Sequence, residues 1–260
     1  MHGMSEPPPL DVDRHSLLLD FDGTLVDFAP HPDAIKLRPG TRDLLRSLTE
    51  NLGGAVALVS GRRIESIDRF LAPLKLAAIG VHGQETRRYG GAVAMRTPSP
   101  ELEIARRRIA ESLPKKDPLL FEDKKSALVL HYRTCPEERG RALKIARRAI
   151  EGLGQLAMVE GHSIAEVREK NVSKADAVAI VAEWPEFTGR KPVFLGDDTT
   201  DEDGFRAAAE AGGFGVKVGA GESAARYRLA DVGGVHGWLA MSAGGQELER
   251  GQHVKTLRNR

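Results

Sequence analysis

The sequence predicts an α/β protein with a doubly wound parallel sheet, into which a smaller α+β unit is inserted. Apolar runs alternate with helix-like segments in the first part of the chain, and the same alternation resumes later. Between these stretches, strand-like runs separated by turn residues dominate, which is typical of an antiparallel sheet covered by helices. We therefore expect a core at residues 17–86 and 165–243, with an inserted domain at 87–164.

The first core stretch contains predicted strands and helices in alternation. Each strand is a short apolar run that ends in residues favouring turns. Each helix carries apolar residues three and four positions apart. In chain order we predict a strand at 17–20, a helix that begins near Pro39, a strand at 55–59, a helix that ends near Leu71 and a strand at 76–81.

The remaining elements follow from the same two patterns. In the inserted unit we predict a hairpin at 86–95, helices around 102–113 and 143–153, and strands at 118–122, 126–132, 155–159 and 163–168. In the second core stretch we predict a helix from Ser173, a strand at 193–195, a helix through Phe205, a strand at 214–218 and a helix at 235–241. The ends, 1–16 and 244–260, are predicted to be a flexible arm and a polar tail, because Pro7-Pro8-Pro9 cannot join a regular element.

Composition excludes several classes of function. The net charge of the 260 residues is +1, which gives no basis for nucleic-acid or membrane binding. The single cysteine, Cys135, cannot form an intrachain disulfide and is typical of a reducing compartment. The N-terminus lacks the apolar segment of a signal peptide, and no apolar run has the ~20 residues that cross a bilayer. We expect a cytoplasmic, monomeric protein with a small-molecule substrate.

Two aspartates at the end of the first strand are the strongest indication of a catalytic site. Asp20 and Asp22 begin on the same side of the strand, and Gly23 lets the chain turn sharply after them. In an open α/β sheet, the active site lies at the carboxyl ends of the strands. A solvated turn would have the same local sequence, because Asp and Gly are common in turns.

Three fragments further along the chain favour the catalytic interpretation. Ser60-Gly61-Arg62 follows an apolar run, Lys174 stands at a predicted helix start, and the acidic segment 196–202, GDDTTDE, follows another apolar run. With the first motif, and in this order, they resemble the four motifs of the haloacid-dehalogenase superfamily of phosphohydrolases. The resemblance implies phosphoryl transfer, which needs a nucleophile, a metal, positive charge and a proton donor.

The superfamily resemblance also implies a role for each catalytic group. Asp20 is the candidate nucleophile, which forms an aspartyl-phosphate. Asp22 is the candidate acid that protonates the leaving oxygen and the base that then deprotonates water. Ser60 is expected to donate a hydrogen bond to the phosphoryl group, and Lys174 to neutralise its charge.

The same resemblance implies Mg²⁺, held by Asp20, Asp197 and the backbone carbonyl of Asp22. Asp198 and Asp201 are expected either to support these ligands or to replace one of them. The charges are consistent with a cation, because five carboxylates cannot all be ionised in one cleft without one. Two like charges ~4 Å apart repel by about 4 kcal/mol at an effective dielectric constant of ~20.

Seven segments, four of them outside the catalytic motifs, narrow the resemblance to the trehalose-6-phosphate phosphatases. They are VSGR at 59–62, GVHGQE at 80–85, FEDK at 121–124, LHYR at 130–133, AEVRE at 165–169, SK at 173–174 and FLGDDTTDEDGF at 194–205. The resemblance spans about residues 16–240. It implies a Rossmann-like core with a mobile cap, for which the inserted domain is the candidate, and trehalose 6-phosphate as the substrate. Glu169 departs from the family pattern, which usually has proline there.

Candidates for binding the sugar follow from this resemblance, namely Arg62, His82, Gly83, Glu85, Glu122, Lys124, Arg133 and Glu166. A disaccharide presents many hydroxyls, and a selective site needs charged or amide partners for them. Arg133 and His131 alternate with apolar residues on one strand, and of the two we expect Arg133 to contact substrate and His131 to be structural. Arg62 is expected either to contact substrate or only to hold its own loop.

Other functions remain open at this point. The same catalytic core would serve a phosphatase of sucrose phosphate or of mannosyl-3-phosphoglycerate, and the inserted domain alone would distinguish these substrates. A phosphomutase would have to retain its phosphorylated intermediate. A regulatory domain like those fused to trehalose-phosphate synthases would have a broken catalytic set, whereas Asp20, Asp22, Lys174 and Asp197 are all present. We therefore expect an enzyme, and because no synthase-sized domain precedes these motifs in the sequence, we expect it to be free-standing.

Overall fold

The computed structural model describes residues 5–29, 34–123, 127–161, 163–170 and 173–257, without the side chains of His82 and of residues 245–257. The chain divides into two compact units. The core unit comprises Met1–Met95 and Val172–Arg260, and the inserted unit comprises Arg96–Asn171. No described helix is both long enough and apolar enough to cross a membrane.

Strands and helices are numbered along the chain. The described strands are β1 (His15–Leu19), β2 (Val56–Val59), β3 (Ala77–Gly80), β4 (Glu85–Arg87), β5 (Ala94–Met95), β6 (Leu120–Asp123), β7 (Ala127–His131), β8 (Leu156–Gly161), β9 (Ile164–Glu169), β10 (Lys191–Gly196), β11 (Phe214–Val218) and β12 (Tyr227–Leu229). The described helices are α1 (Thr41–Asn51), α2 (Ile64–Leu71), α3 (Pro100–Ser112), α4 (Arg139–Ala149), α5 (Lys174–Ala182), α6 (Glu202–Glu210) and α7 (Val232–Leu257).

The core unit is built on one sheet with the order β12-β11-β10-β1-β2-β3-β4-β5. From β12 to β3 all neighbouring strands are parallel, and β4 and β5 extend this edge in antiparallel pairs. The chain runs outward from β1 through β2 to β3, whereas β10, β11 and β12 lie on the other side of β1. The strand order therefore reverses between β1 and β10, and ligands bind at such a switch point in open α/β sheets.

Apolar sequence explains why β1 lies at the centre of this sheet. Leu17, Leu18 and Leu19 are fully buried, because a central parallel strand is covered on both faces. Helix α1 packs against α7, α5 packs against α6 and β2, and α6 packs against β10 and β11. The prediction of a doubly wound, Rossmann-like core with an inserted α+β unit is confirmed.

The inserted unit has its own sheet and its own hydrophobic core. The strand order is β6-β7-β9-β8, and all three pairs are antiparallel. Helices α3 and α4 pack against each other, and α4 also contacts the sheet. Leu102 and Ile109 of α3 pack with Leu130 and Val167 in a separate core cluster. The unit therefore buries apolar residues independently of the core sheet.

The boundaries of the inserted unit lie later in the chain than the sequence pattern places them. Residues 87–95 complete the β4–β5 hairpin, which pairs with β3 and so belongs to the core sheet. Residues 164–169 form β9, which lies between β7 and β8 of the inserted sheet. Glu169, the departure from the family pattern, accepts the N–H of Ser99 at 2.5 Å and so joins the two ends of the inserted unit.

Both chain ends are more regular than expected. From Ser5 onward, the N-terminal segment is attached to the core unit: Pro8 O accepts the indole N–H of Trp238 at 3.0 Å, and Leu10 is buried. Helix α7 continues to Leu257 instead of ending near Met241. The short strand β12 was not among the predicted elements, because three residues are too few to give a periodic signal.

Candidate active site

The carboxyl end of β1 leads into the loop that carries the two predicted catalytic aspartates. Asp20 continues the sheet by one residue, because its N–H donates to Leu195 O at 2.9 Å. The chain then turns at Gly23, whose φ of 78° lies in the left-handed region that glycine tolerates. The N–H of Gly23 donates to Val26 O at 2.8 Å and closes the loop. Asp20, with 7% of its surface exposed, is thereby held at the strand end.

Lys174 is fixed beside Asp20 by the cap of α5. The hydroxyl of Ser173 accepts the N–H of Asp176 at 3.2 Å, and the Asp176 carboxylate accepts the N–H of Ser173 at 2.7 Å, which forms a capping box. Nζ of Lys174 donates to Asp20 Oδ1 at 2.8 Å and also to Asp201 Oδ1. Burial lowers the pKa of Lys174, but the charges of Asp20 and Asp201 outweigh this effect and raise it. Lys174 therefore remains positively charged.

Three carboxylates of the described residues form a compact acidic cluster. Each of Asp20, Asp197 and Asp201 has an oxygen within 4.8 Å of one in each of the others. Burial raises the pKa of Asp20 to about 8, and the charges of Asp201 and Asp197 add to this, although Lys174 opposes it. Burial and Asp201 also raise the pKa of Asp197.

The composition of the acidic cluster fits a hard divalent cation. Its donors are carboxylate oxygens, which Mg²⁺ prefers. Burial and the neighbouring carboxylates raise the pKa of Asp20 despite Lys174, and a further positive charge beside it would favour the ionised form that a nucleophilic carboxylate needs. Asp20, Asp197 and Asp201 are therefore the described residues that could hold a divalent cation.

Asp198 and Asp201, which were expected either to support the metal ligands or to replace one of them, have different surroundings in the structure. Asp201 is fully buried in the acidic cluster, and its Oδ2 accepts the N–H of Asp198 at 2.9 Å. The carboxylate of Asp198 instead accepts the N–H of Thr199 at 2.7 Å. Asp198 therefore caps the 3₁₀ turn Thr199–Asp201, and it is not part of the cluster.

Ser60 and Arg62 follow β2, so they lie beside the end of β1. Ser60 is buried, and its Oγ accepts the N–H of Arg62 at 3.1 Å. The guanidinium of Arg62 binds Asp22 through two hydrogen bonds, Nε to Oδ2 at 2.6 Å and Nη2 to Oδ1 at 2.8 Å. Arg62 was expected either to contact substrate or to hold its own loop. In the structure its side chain instead binds Asp22, the candidate acid–base residue.

The segment after β3 contributes backbone and a buried carboxylate. Gly83 ends the 3₁₀ turn Val81–Gly83 with a φ of 87°, and only the backbone of His82 is described. Glu85 is 3% exposed; its Oε2 accepts the N–H of Ile64 at 2.7 Å, and its Oε1 accepts Nε of Arg63 at 3.1 Å. Both oxygens of Glu85 thus already have partners at the start of α2.

The other sugar-binding candidates belong to the inserted unit. Glu122 on β6 and Glu166 on β9 lie opposite Val129 of β7, so both side chains are on one face of the sheet. On the same face, Nε2 of His131 lies 2.7 Å from Oε2 of Glu122. Arg133 is exposed beyond the end of β7, and Lys124 lies outside the described residues.

A comparison with protein families agrees with this arrangement of strands and acids. Residues 18–232 match the family model described as trehalose-phosphatase. The chain belongs to the trehalose-phosphatase family. It is 33% identical to the trehalose-6-phosphate phosphatase of Escherichia coli (strain K12), over 92% of this chain and 90% of that protein. The prediction of a phosphatase is confirmed.

Solved structures agree with the family assignment. The trehalose-6-phosphate phosphatase of Aspergillus fumigatus, crystal form 3, is 25% identical with a TM-score of 0.70, and the match covers 92% of this chain and 99% of that one. A haloalkanoate dehalogenase (HAD) superfamily phosphatase from Bacteroides thetaiotaomicron has the same fold, at 18% identity and a TM-score of 0.58, with 89% and 95% coverage. These matches confirm the predicted fold.

Two residues that donate hydrogen bonds to Asp197, Thr24 and Lys217, were not predicted from the sequence. Thr24 is fully buried, and its Oγ1 donates to Asp197 Oδ1 at 3.2 Å. Lys217 is 7% exposed, and its Nζ donates to Asp197 O and, at 2.8 Å, to Val218 O. A lysine inside the apolar run 214–218 was the available signal, because lysine is rarely buried without a specific partner.

Proposed function

We propose that this chain is a Mg²⁺-dependent phosphatase that hydrolyses trehalose 6-phosphate to trehalose and phosphate. The arrangement that carries the proposal is a buried Asp20 at the end of β1, with Lys174 at 2.8 Å and two further carboxylates beside it. Membership of the trehalose-phosphatase family supports the substrate. The carboxylates of Asp20 and Asp22, the fixed positive charge of Lys174 and a candidate metal site together suit the transfer of a phosphoryl group.

The proposed reaction has two steps, and Asp20 takes part in both. In the first, a carboxylate oxygen of Asp20 attacks phosphorus, the bond from phosphorus to the sugar oxygen breaks, and Asp22 gives its proton to that oxygen. In the second, Asp22 takes a proton from a water molecule, the water oxygen attacks phosphorus, and the bond to Asp20 breaks. Lys174 stays charged throughout and offsets the negative charge that accumulates on the phosphoryl oxygens.

The acidic cluster is proposed as the Mg²⁺ site. Asp20, Asp197 and Asp201 would hold the ion, with the backbone carbonyl of Asp22 as a further candidate. When bound, the ion would supply positive charge that favours the ionised form of Asp20 and stabilises the transferred group. Thr24 and Lys217 would keep Asp197 oriented.

Each unit contains candidate residues for recognition of the sugar. Glu122 and Glu166 share one open face of the inserted sheet, where acidic side chains could accept hydrogen bonds from hydroxyl groups. Lys124, Arg133, His82 and Gly83 remain candidates from the family resemblance, and Ser60 remains the candidate donor to the phosphoryl group. Glu85 is better explained as a cap of α2, because both of its oxygens already have partners.

Release of phosphate from a panel of esters tests the proposed activity. Purified protein with Mg²⁺ should hydrolyse trehalose 6-phosphate far faster than glucose 6-phosphate or sucrose 6-phosphate, and Asp20→Asn should abolish the activity. Faster turnover of another ester would leave the catalytic assignment standing and refute the assignment of the substrate. If no ester gave Asp20-dependent release, the proposal of a phosphatase acting through Asp20 would be refuted.

The proposal also covers the cellular compartment and the oligomeric state. We expect a monomer in the cytoplasm, where the buried thiol of Cys135 would stay reduced. Light scattering on the purified protein tests the monomer, and fractionation of cells tests the compartment.

A further inference from the structure

Arg62 and Asp22 form a bidentate ion pair inside the core unit. The two bonds, of 2.6 and 2.8 Å, join two nitrogens of the guanidinium to both oxygens of one carboxylate. The side chains are 15% and 28% exposed, respectively, so water screens the pair only in part. Paired geometry of this kind fixes the direction of a carboxylate as well as its distance, which a single contact does not.

The rest of the protein holds Arg62 rigidly in this position. Its backbone N–H donates to Ser60 Oγ at 3.1 Å, and its backbone carbonyl accepts the N–H of Val81 at 3.0 Å. The guanidinium lies 5.7 Å from the ring centres of both Phe21 and Phe70. Contacts between a cation and aromatic rings favour one placement of the charge. Arg62 is therefore fixed before any substrate binds.

We propose that Arg62 is a positioning residue that acts through Asp22 and does not recognise the sugar. The nitrogens of its planar fork already face the carboxylate, and its guanidinium lies beside the rings of Phe21 and Phe70. This inference rests on the proposed function, because it presupposes that Asp22 transfers protons. It changes the expected role of Arg62 from a substrate contact to a residue that orients the proton donor.

Orientation matters because Asp22 must reach a specific oxygen. The proton passes from Asp22 to the sugar oxygen while the bond from phosphorus to that oxygen breaks and the bond to Asp20 forms. General acid catalysis of this kind contributes about 10²–10⁴-fold, provided that the donor lies within hydrogen-bond distance. A carboxylate that rotates freely would spend less time in that position.

The nature of the leaving group tests whether Arg62 acts on departure of the sugar rather than on the phosphoryl group, which both substrates share. The alkoxide of trehalose needs a proton to leave, whereas the phenolate of p-nitrophenyl phosphate leaves without one. We would compare kcat/KM, which reports the steps up to departure of the first product. Arg62→Met should lower kcat/KM for trehalose 6-phosphate by about 10²-fold and that for p-nitrophenyl phosphate by less than about threefold.

A double-mutant cycle with Asp22→Asn provides the decisive readout. If Arg62 acts only through Asp22, adding Arg62→Met to Asp22→Asn should change kcat/KM for trehalose 6-phosphate by less than about threefold. If Arg62 binds the sugar, the two losses should multiply, and the inference would be overturned. Arg69→Met is the matched control. This arginine of α2 is exposed, and its Nη2 lies 3.8 Å from Oε1 of Glu65. The kcat/KM of this variant should equal that of the wild type.

The design distinguishes failure of this inference from failure of the proposed function. Wild-type protein without Asp20-dependent phosphate release would refute the proposed function. Normal wild-type activity with multiplying losses would refute only the role of Arg62. If Arg62→Met does not fold, Arg62→Lys replaces it in the same cycle, because it keeps the charge but lacks the fork. The same lack of additivity is expected, and multiplying losses would again overturn the inference.

Discussion

Gly23→Ala tests whether the loop after β1 controls the position of Asp197. A Cβ at residue 23 would overlap the carboxylate group of Asp197, and the φ of 78° is unfavourable for alanine. The backbone conformation costs about 1–2 kcal/mol for a residue with a Cβ. Displacement of Asp197 would also break its hydrogen bond with Thr24, which is worth about 0.5–1.5 kcal/mol. The expected loss of unfolding free energy is therefore about 1.5–3.5 kcal/mol.

Gly40→Ala separates the cost of the backbone from the displacement of Asp197. Gly40 has a φ of 79°, nearly the same as Gly23, and no atom of the described residues lies within 4 Å of a Cβ built there. This variant should lose about 1–2 kcal/mol of unfolding free energy and retain activity. The difference between the two variants then isolates the contact with Asp197.

Urea unfolding and titration with Mg²⁺ measure these two effects. Gly23→Ala should bind Mg²⁺ about 10–100-fold more weakly than Gly40→Ala, by analogy with the loss of groups that orient metal ligands. Its rate of phosphate release at fixed Mg²⁺ should fall accordingly. Equal Mg²⁺ affinity and equal turnover in the two variants would refute the placement of Asp197 in the metal site.

Three further substitutions test single contacts. Lys217→Met should cost about 1–3 kcal/mol of unfolding free energy, measured in urea, because it leaves Asp197 O and Val218 O without the donor. Glu85→Gln should lower the melting temperature through a loss of about 1–2 kcal/mol at the start of α2, while KM stays unchanged; a large rise in KM without destabilisation would restore its role in substrate binding. Arg141 lowers the pKa of Asp117, so the carboxylate stabilises the folded state above its unfolded pKa, near 4. This contribution disappears as pH falls through the folded pKa. Asp117→Asn should therefore be less stable than the wild type by up to about 1 kcal/mol at neutral pH and equally stable in strong acid; a difference that persists in acid would contradict the ion pair.

The positions of Asp20 and Lys174 at the edge of the sheet could be predicted from the sequence, because they depend on local patterns. Asp20 follows an apolar run, and Lys174 follows Ser173 at a capped helix start. Parallel strands then place their carboxyl ends at one edge of the sheet, so residues 154 positions apart meet at 2.8 Å. Fold class and the core of the acidic cluster could therefore be inferred from periodicity, motif order and resemblance together.

Long-range polar pairs were not predictable from the same information. Glu85 was expected to bind sugar, but its distance from the start of α2 depends on how β3 and β4 pair. The pairing of Arg62 with Asp22 joins two loops, and loop conformation has no periodic signature. The domain boundary shifted for a similar reason, since a short hairpin such as 85–95 joins whichever sheet edge is available.

In the first step of the proposed reaction, Asp20 receives the phosphoryl group of trehalose 6-phosphate. Rapid acid quenching during turnover, followed by mass spectrometry of the peptide that contains residue 20, measures this directly. We expect a phosphoryl group on Asp20 that appears before free phosphate and disappears when the substrate is exhausted. Release of phosphate at the wild-type rate by Asp20→Asn, or a phosphoryl group that accumulates on a different residue, would contradict it.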